Sequence, residues 1–362
     1  SFMSSCRKLE SPAGSTQNEN GIRLTILYPS IGSLKALVGL RKQELLAIKN
    51  LNVVGVYHKQ EKTDYQKSKD FIKEEKIDWL EFLELNGDIH KDNLFQNNPL
   101  SDEFKKIFND SDGIIFFGGA DIPPYIYNDR SNLHTQITTP VRSFMEISFV
   151  FHLIGGFQDP GFLPFLESRP EFPVLGLCLG LQSLNVGTGG TLVQDIWSEI
   201  YGKTYVEEVI ELGKDVWHTN PFSRLYPEKD LFPYIFHPIR LKAEGMLVSV
   251  MGMNPADTPH ILSAHHQVPK NIGKGFRVTA TSMDEKVIEA IEHEYYPNVL
   301  GLQFHPEFAS IWDSEKTYKF TPDDVDKTTV IDFLRGKPSS IDFHKKIWEW
   351  FTNALKNSHK GI

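Results

Sequence analysis

The sequence predicts a doubly wound α/β fold, in which a mostly parallel sheet carries an added, partly antiparallel meander. Between residues 22 and 186, short apolar runs alternate with segments of helical periodicity, which is typical of consecutive βαβ units. From residue 260 onward, apolar runs follow one another through turn residues without helical segments between them, which favours a meander. A glycine-flanked cysteine between an apolar run and a helix predicts a nucleophile elbow at one strand end.

The first half of the chain supplies five predicted strands and the helices that connect them. Each strand is a short run of aliphatic or aromatic residues, and each helix has apolar residues three or four positions apart. The predicted strands are 22–28, 51–57, 79–85, a run from Gly113 into a Gly118-Gly119 turn, and Val174–Leu177. The predicted helices are a segment capped by Ser33 and ending near Lys49, then 64–75, 102–109, 141–153 and 179–186.

The second half of the chain predicts the meander, a closing helix and most of the inserted sequence. The meander comprises the runs 260–266, 276–282, 287–293 and 299–305, and residues 341–355 have the spacing of an amphipathic helix. The segments 155–170, 197–259 and 311–340 are predicted insertions, of which 197–259 is expected to line or cover the site. Residues 1–20 predict a flexible lead and 21–362 a single catalytic domain.

The composition argues against several classes of partner. The 362 residues include 47 acidic and 38 basic side chains, a net charge of −9, without a long basic run. This balance disfavours a nucleic-acid or anionic-membrane surface. No apolar run approaches the roughly 18 residues of a membrane-spanning helix. The two cysteines, Cys6 and Cys178, lie in a polar lead and in the predicted elbow, so a structural disulfide is not expected.

The first residues leave the compartment open. Residues 1–5 are either the remnant of a tag before the native start or the end of a clipped signal peptide that precedes a lipidated Cys6. The first alternative predicts a cytoplasmic protein, and the second a lipid-anchored or periplasmic one.

Cys178 has the sequence surroundings of a reactive thiol. It lies in a G-x-C-x-G pattern between the strand 174–177 and a helix that begins at Leu179. Glycines two positions away on either side relieve the steric clashes of a sharp turn. The free N–H groups and partial positive charge of the helix N-terminus favour the thiolate. A buried structural cysteine is the alternative interpretation.

His305 and Glu307 are the candidate base and orienting acid. They end the run 299–305 in the motif His-Pro-Glu, where Pro306 favours an extended conformation of the residue before it. Residues i and i+2 of an extended chain project to the same side, so Glu307 can reach the imidazole and stabilise its charged form. The alternative is a histidine at a strand end beside a surface glutamate.

Backbone N–H groups are the candidate donors to an oxyanion. The Leu179 N–H follows the nucleophile at a helix start, and Gly118 or Gly119 would supply the second donor. The alternative for the two glycines is an ordinary tight turn.

Residues 263–267, Ser-Ala-His-His-Gln, form the remaining polar cluster. Adjacent histidines in a strand point to opposite faces, and no nearby Cys or Asp spacing resembles a zinc site. Structural roles or substrate contacts are therefore expected for His265, His266 and Gln267, and neither a metal nor a cofactor is expected.

Four blocks of sequence resemble the class I glutamine amidotransferase-like superfamily, and within it the γ-glutamyl hydrolase group, peptidase family C26. The blocks are 112–121, 173–195, 263–267 and 301–307, in the order of the family. The resemblance implies a flavodoxin-like α/β core and a Cys178–His305–Glu307 triad with Gly119 and Leu179 at the oxyanion. It also implies cleavage of a γ-glutamyl amide through a thioester, with Gln182, His265, His266 and Gln267 near a small γ-glutamyl substrate.

The sequence departs from the family at Leu179, where bacterial members that act on small γ-glutamyl amides often have arginine. A cationic contact to the substrate is therefore missing or comes from elsewhere. Two other functions stay open: a glutaminase subunit that delivers ammonia to a separate synthetase, and a non-catalytic, envelope-associated module of the same fold. A homodimer is compatible with each of them.

Overall fold

A ten-stranded sheet forms the centre of the fold in the computed structural model, which describes residues 21–229 and 231–360. Cys6 and the predicted flexible lead lie outside the described residues. The strands are β1 Ile22–Leu27, β2 Leu51–His58, β3 Leu80–Leu85, β4 Gly113–Phe116, β5 Val174–Leu177, β6 Leu192–Val193, β7 Ile235–Leu241, β8 His260–Ser263, β9 Val268–Pro269, β10 Phe276–Ser282, β11 Ile288–His293, β12 Val299–Leu302, β13 Thr317–Tyr318 and β14 Thr328–Thr329.

The strand order of the large sheet is β3-β2-β1-β4-β5-β12-β11-β10-β7-β8, and β6–β9 and β13–β14 form two small pairs. The first six strands in this order run parallel to one another. The remaining pairs are antiparallel. The prediction of a doubly wound, flavodoxin-like core with an antiparallel addition is confirmed.

Helices cover both faces of the sheet. They are α1 Ile31–Lys42, α2 Tyr65–Glu74, α3 Ser101–Asp110, α4 Pro140–Ile154, α5 Leu179–Gly187, α6 Ile196–Glu199, α7 Val206–Glu211, α8 Pro221–Leu225, α9 Met246–Ser249, α10 Val330–Arg335 and α11 Ser340–Lys360. Apolar residues of α1 and α11 share one buried cluster with Leu24 and Ile26 of β1. Those of α3, α4 and α5 share another with Leu27. Leu24 and Ile26 lie on one face of the sheet and Leu27 on the other, because successive side chains of a strand point to opposite faces. No helix within the described ranges is both long and apolar enough to cross a bilayer.

Several boundaries differ from the sequence prediction: β8 ends at Ser263 and β12 at Leu302, before the predicted 266 and 305, and α11 extends beyond 341–355. The first helix differs at both ends. The first helix begins at Ile31 after Ser30, whose side chain accepts from the Ser33 N–H, and it ends at Lys42 instead of near Lys49. It ends early because the Leu45 N–H donates back to the Leu40 carbonyl, which closes the last turn.

The segment 197–259 contains more regular structure than the sequence predicts. It includes four short helices, α6 in part and α7 to α9, and the seven-residue strand β7. β7 lies between β10 and β8 in the large sheet. Its sequence includes Pro238, which is unusual inside a sheet because proline lacks the ladder donor, and this residue obscured the strand.

Candidate active site

Cys178 occupies a strained turn between β5 and α5. Its φ and ψ are 54° and −105°, which is a backbone conformation that non-glycine residues rarely adopt. The thiol residue is 7% exposed, and Leu179 begins the helix directly after it. Strain of this kind persists only where the surrounding structure enforces it, and it is concentrated at functional sites.

The flanking glycines allow the backbone segments of this turn to approach closely. A Cβ atom added at Gly176 would lie 2.6 Å from the carbonyl carbon of Gly180, and one added at Gly180 would lie 2.1 Å from the carbonyl oxygen of Phe116. Both distances are far below van der Waals contact, so no larger residue fits without moving the backbone. The two glycines of the G-x-C-x-G pattern are thus needed for packing.

Pairing of β12 with β5 brings the second motif to the cysteine. Leu302 is in register with Leu177, and the Cys178 N–H donates to the Leu302 carbonyl at 2.7 Å. His305 follows three residues later. A Cβ atom added at Gly118 would lie 3.1 Å from His305 Cε1 and 3.4 Å from Cys178 Cβ. The glycine turn, the cysteine and the histidine therefore adjoin one another.

The His305 imidazole is buried and paired with a carboxylate. Its Nδ1 lies 2.7 Å from Glu307 Oε1, and the side chains are 8% and 3% exposed. Burial opposes the charged ring, but Glu307 and the Cys178 sulfur outweigh burial and raise the pKa of His305 to about 10. The arrangement stabilises an imidazolium beside the sulfur.

Two backbone N–H groups next to the turn at Cys178 have no backbone acceptor within the described residues. Leu179 is the first residue of α5, so its N–H has no acceptor within the helix. The Gly119 N–H donates to no other residue in the described part of the chain. These are the two donors that the sequence suggested for an oxyanion.

A buried ion pair supports the turn at residues 117–119. Arg142 Nη2 donates to the carbonyls of Phe117 and Gly118, at 2.8 and 3.2 Å, and its Nε donates to Glu146 at 2.7 Å. A Cβ atom added at Gly119 would lie 1.8 Å from Arg142 Nη1. Arg142 thus fixes the two turn carbonyls in place. The sequence contains a signal for this pair, because Arg142 and Glu146 are opposite charges four residues apart in a mostly apolar helix.

The predicted substrate-contact residues separate into two groups. Gln182 donates to the backbone carbonyl of Gln267 at 3.0 Å, and both side chains are buried. The Gln267 amide lies 3.5 Å from Thr135, and His265 points into a buried polar cluster. His266, in contrast, lines a cavity.

His266 lies between two carboxylates at the edge of that cavity. Its Nε2 is 3.1 Å from Asp121, and its Nδ1 is 3.5 Å from Asp195. Burial opposes the charged ring, but the two aspartates outweigh burial and raise the pKa of His266 to about 9. The cavity has a volume of about 280 Å³, and Cys178 is not part of its lining. Its walls include His134, Asp195, Trp197, Asn220, Arg224 and His266.

Comparison with known proteins identifies the family. The peptidase C26 family model matches residues 94–307, more than half of the chain. The chain belongs to the peptidase C26 family. The resemblance inferred from the four sequence blocks is thereby confirmed, and the matched range contains every candidate residue from Gly119 to Glu307.

Several relatives share this part of the C26 protein. The glutamine amidotransferase-like protein YvdE of Lactococcus lactis is 30% identical over 205 residues, which are 56% of this chain and 68% of the relative. The glutamine amidotransferase-like protein RP404 of Rickettsia prowazekii is 24% identical over 226 residues, covering 58% and 74%. A CTP synthase of Picosynechococcus is 27% identical over 154 residues, covering 39% of this chain and 25% of the synthase.

Sequence reasoning missed three polar partners at this site. Gln303 Nε2 lies 3.8 Å from Cys178 Sγ, and Asp121 and Asp195 hold His266. The position of Gln303 could have been predicted, because it precedes His305 by two residues and side chains at this spacing in an extended chain project to the same side. The two aspartates end glycine-rich segments that the resemblance includes, but their convergence on one histidine depends on tertiary structure.

Proposed function

We propose that this C26 protein hydrolyses γ-glutamyl amide bonds through a thioester on Cys178. Membership of a peptidase family, together with similarity to glutamine amidotransferase-like proteins, supports a cysteine-type amide hydrolase or amidotransferase. The observation that carries the proposal is the strained Cys178 beside the His305–Glu307 pair.

Acylation begins with attack of the Cys178 sulfur on the γ-carbonyl carbon of the substrate. His305 accepts the thiol proton, and Glu307 stabilises the resulting imidazolium. The carbonyl oxygen becomes an oxyanion, which accepts hydrogen bonds from the Gly119 and Leu179 N–H groups. When the C–N bond breaks, His305 returns its proton to the nitrogen. The amine leaves, and a γ-glutamyl thioester stays on Cys178.

Deacylation uses the same groups with water as the nucleophile. His305 removes a proton from water, and the oxygen attacks the thioester carbonyl. The C–S bond breaks, the sulfur takes back a proton from His305, and glutamate is released. Atoms and charges balance over the two steps, so no cofactor is required.

Arg224 is the candidate for the contact that Leu179 does not provide. A γ-glutamyl substrate carries an α-carboxylate, which a positive group would bind. Arg224 lines the cavity of about 280 Å³. His266 lines the same wall, but its charge is already paired with Asp121 and Asp195. We assign the carboxylate contact to this cavity wall, and Arg224→Gln is expected to raise KM with little change in kcat.

The test compares wild type, Cys178→Ala and Cys178→Ser on a panel of γ-glutamyl amides and glutamine. Wild type should release amine, both variants should be inactive, and an electrophilic glutamine analogue should add covalently to Cys178. Cys6→Ser serves as the control, because it removes the only other cysteine of the sequence and leaves Cys178 in place. Turnover that survives in Cys178→Ala, or labelling confined to Cys6, would contradict the proposal.

A glutaminase subunit for a separate synthetase is the second candidate. It is favoured by the similarity to a CTP synthase, which covers 39% of this chain. This alternative predicts that glutamine alone among the panel is a substrate and that turnover is slow without a partner. Fast hydrolysis of several γ-glutamyl amides by the isolated chain would exclude it.

A further inference from the structure

We propose that His218, His237, His265 and Glu289 form a structural zinc site beneath the cavity wall. The four side chains are fully or almost fully buried, and one potential ligand atom from each lies within 4.8 Å of all the others. They come from four separate parts of the chain: the loop before α8, β7, the residues after β8, and β11. The inference does not depend on the proposed activity.

The separations approach those of a tetrahedral metal site. Glu289 Oε1 lies 3.3 Å from His218 Nδ1 and 3.6 Å from His237 Nε2, and Glu289 Oε2 lies 3.8 Å from His265 Nε2. Zinc–nitrogen and zinc–oxygen bonds of about 2.0–2.1 Å place tetrahedral ligand atoms roughly 3.4 Å apart. A small contraction of this cluster would therefore complete the coordination shell.

Two of the histidines already have their lone pairs directed at the carboxylate. His237 Nδ1 lies 3.1 Å from the Pro238 carbonyl, and His265 Nδ1 lies 3.2 Å from the Gln267 carbonyl. A carbonyl oxygen only accepts a hydrogen bond, so each Nδ1 carries the ring proton. In the neutral ring, each Nε2 therefore carries a free lone pair. Donation of the second nitrogen to a backbone carbonyl is the usual way in which a metal-binding histidine is oriented.

The facing atoms lack any other partner. Neither Nε2, nor either oxygen of Glu289, makes a hydrogen bond within the described residues. A protonated Nε2 would donate to the carboxylate, but the contacts of 3.6 and 3.8 Å are too long for that bond. Buried lone pairs and a carboxylate that face one another repel unless a cation lies between them. A shared metal ion removes this cost.

The ligand set indicates the metal and its role. Three imidazoles and one carboxylate at tetrahedral separations suit Zn²⁺ better than the oxygen-preferring Mg²⁺ or Ca²⁺. Four protein ligands leave no position for water, as in structural zinc sites. The metal would join β7, β11 and the residues after β8 to the loop at His218.

This position connects the metal with the cavity. Thr219 and Asn220 follow His218, His266 follows His265, and all three line the cavity. The backbone is already linked here, because the His265 N–H donates to the His218 carbonyl at 3.0 Å. Zinc would therefore fix the wall against which a substrate packs, without contacting the substrate.

The experiment measures metal bound to the full chain by elemental analysis after purification, and again after chelation and addition of ZnCl₂. Wild type should hold about one zinc per chain, and Glu289→Gln and His237→Gln should lose at least about nine-tenths of it. Two controls should keep the metal. His344→Gln removes another fully buried histidine, and His266→Gln removes the neighbouring one between the two aspartates.

Cobalt substitution decides the coordination without any variant. Co²⁺ added to chelated wild type should give the intense visible bands of a tetrahedral site, and zinc should displace it. A chelated protein that binds neither metal, a weak octahedral spectrum, or metal loss in His266→Gln with retention in Glu289→Gln would each overturn the inference. If the cluster variants fail to fold, the wild-type spectrum still gives the answer. Amide hydrolysis is measured separately, so its failure leaves this result unaffected.

Discussion

Replacing Glu307 with glutamine tests how strongly the carboxylate supports the imidazolium of His305. Glutamine has nearly the same shape, so it keeps the contact to Nδ1 but removes the negative charge. In the wild type the two atoms are 2.7 Å apart, and Glu307 is 3% exposed, so water screens the interaction little. The loss should therefore appear mainly in kcat, because attack proceeds from the thiolate–imidazolium pair that this charge stabilises.

The size of the effect follows from the pKa of His305. Burial lowers this pKa, whereas Glu307 and the Cys178 sulfur raise it, and the balance moves it from 6.5 to about 10. At about 1.4 kcal/mol for each pKa unit, the imidazolium is stabilised by about 5 kcal/mol. If the carboxylate contributes about half of this, Glu307→Gln loses roughly 2.5 kcal/mol, which corresponds to a fall in kcat on the order of 100-fold.

The assay is release of the amine from a chromogenic γ-glutamyl anilide, with kcat and KM measured over a range of pH. Glu292→Gln is the matched control, because Glu292 is equally buried at 3% exposure but pairs with Arg277 away from the site. The control should lose stability and keep its kcat. A kcat for Glu307→Gln within about threefold of wild type, in a folded protein, would refute the reasoning.

Three further predictions concern the supports of the site and the core. Gly180→Ala should lower the free energy of unfolding in urea by at least about 3 kcal/mol, since its Cβ would lie 2.1 Å from the Phe116 carbonyl oxygen. The control Gly32→Ala, with 3.7 Å to its nearest neighbour, should be neutral or slightly stabilising. Arg142→Lys should lower kcat more than it raises KM in steady-state assays, because lysine lacks the planar fork that holds the glycine turn. Burial, and to a smaller extent Lys274, lower the pKa of His293 to about 4. Between pH 6.5 and 4 the unfolded chain therefore takes up a proton on His293 that the folded protein does not, so the free energy of unfolding falls as the pH is lowered through this range. Wild type should lose up to about 3 kcal/mol more of this free energy than His293→Gln.

The parallel half of the fold was predictable because its signals are local. Short apolar runs and helical spacings appear within windows of about ten residues, and the predicted strands at 22–28, 51–57 and 174–177 match β1, β2 and β5 closely. β7 was missed because its run contains Pro238 and His237. The structure tolerates this proline near the end of the β7–β8 pairing, where it lies opposite His260.

The candidate site also has one part that local sequence predicts and another part that it does not. The spacing of His305 and Glu307 is a property of three consecutive residues, so their contact was foreseeable from an extended backbone. The contact of His266 with Asp121 joins residues 145 positions apart, and no local pattern determines it. The same limit applies to the cluster of His218, His237 and Glu289, which only the register of the antiparallel strands brings together.

The register of β12 is the feature on which the site depends most. β12 lies between β5 and β11, and its pairing of Leu302 with Leu177 places the residues after both strands at the same edge of the sheet. Parallel strands carry their functional groups at their carboxyl ends, which explains how a cysteine and a histidine so far apart in the chain come to adjoin. A slip of one residue would turn every side chain of β12 to the opposite face. Pairing with strands on both sides guards against such a slip, so the antiparallel addition secures the geometry at Cys178 although it contributes none of the side chains of the proposed triad.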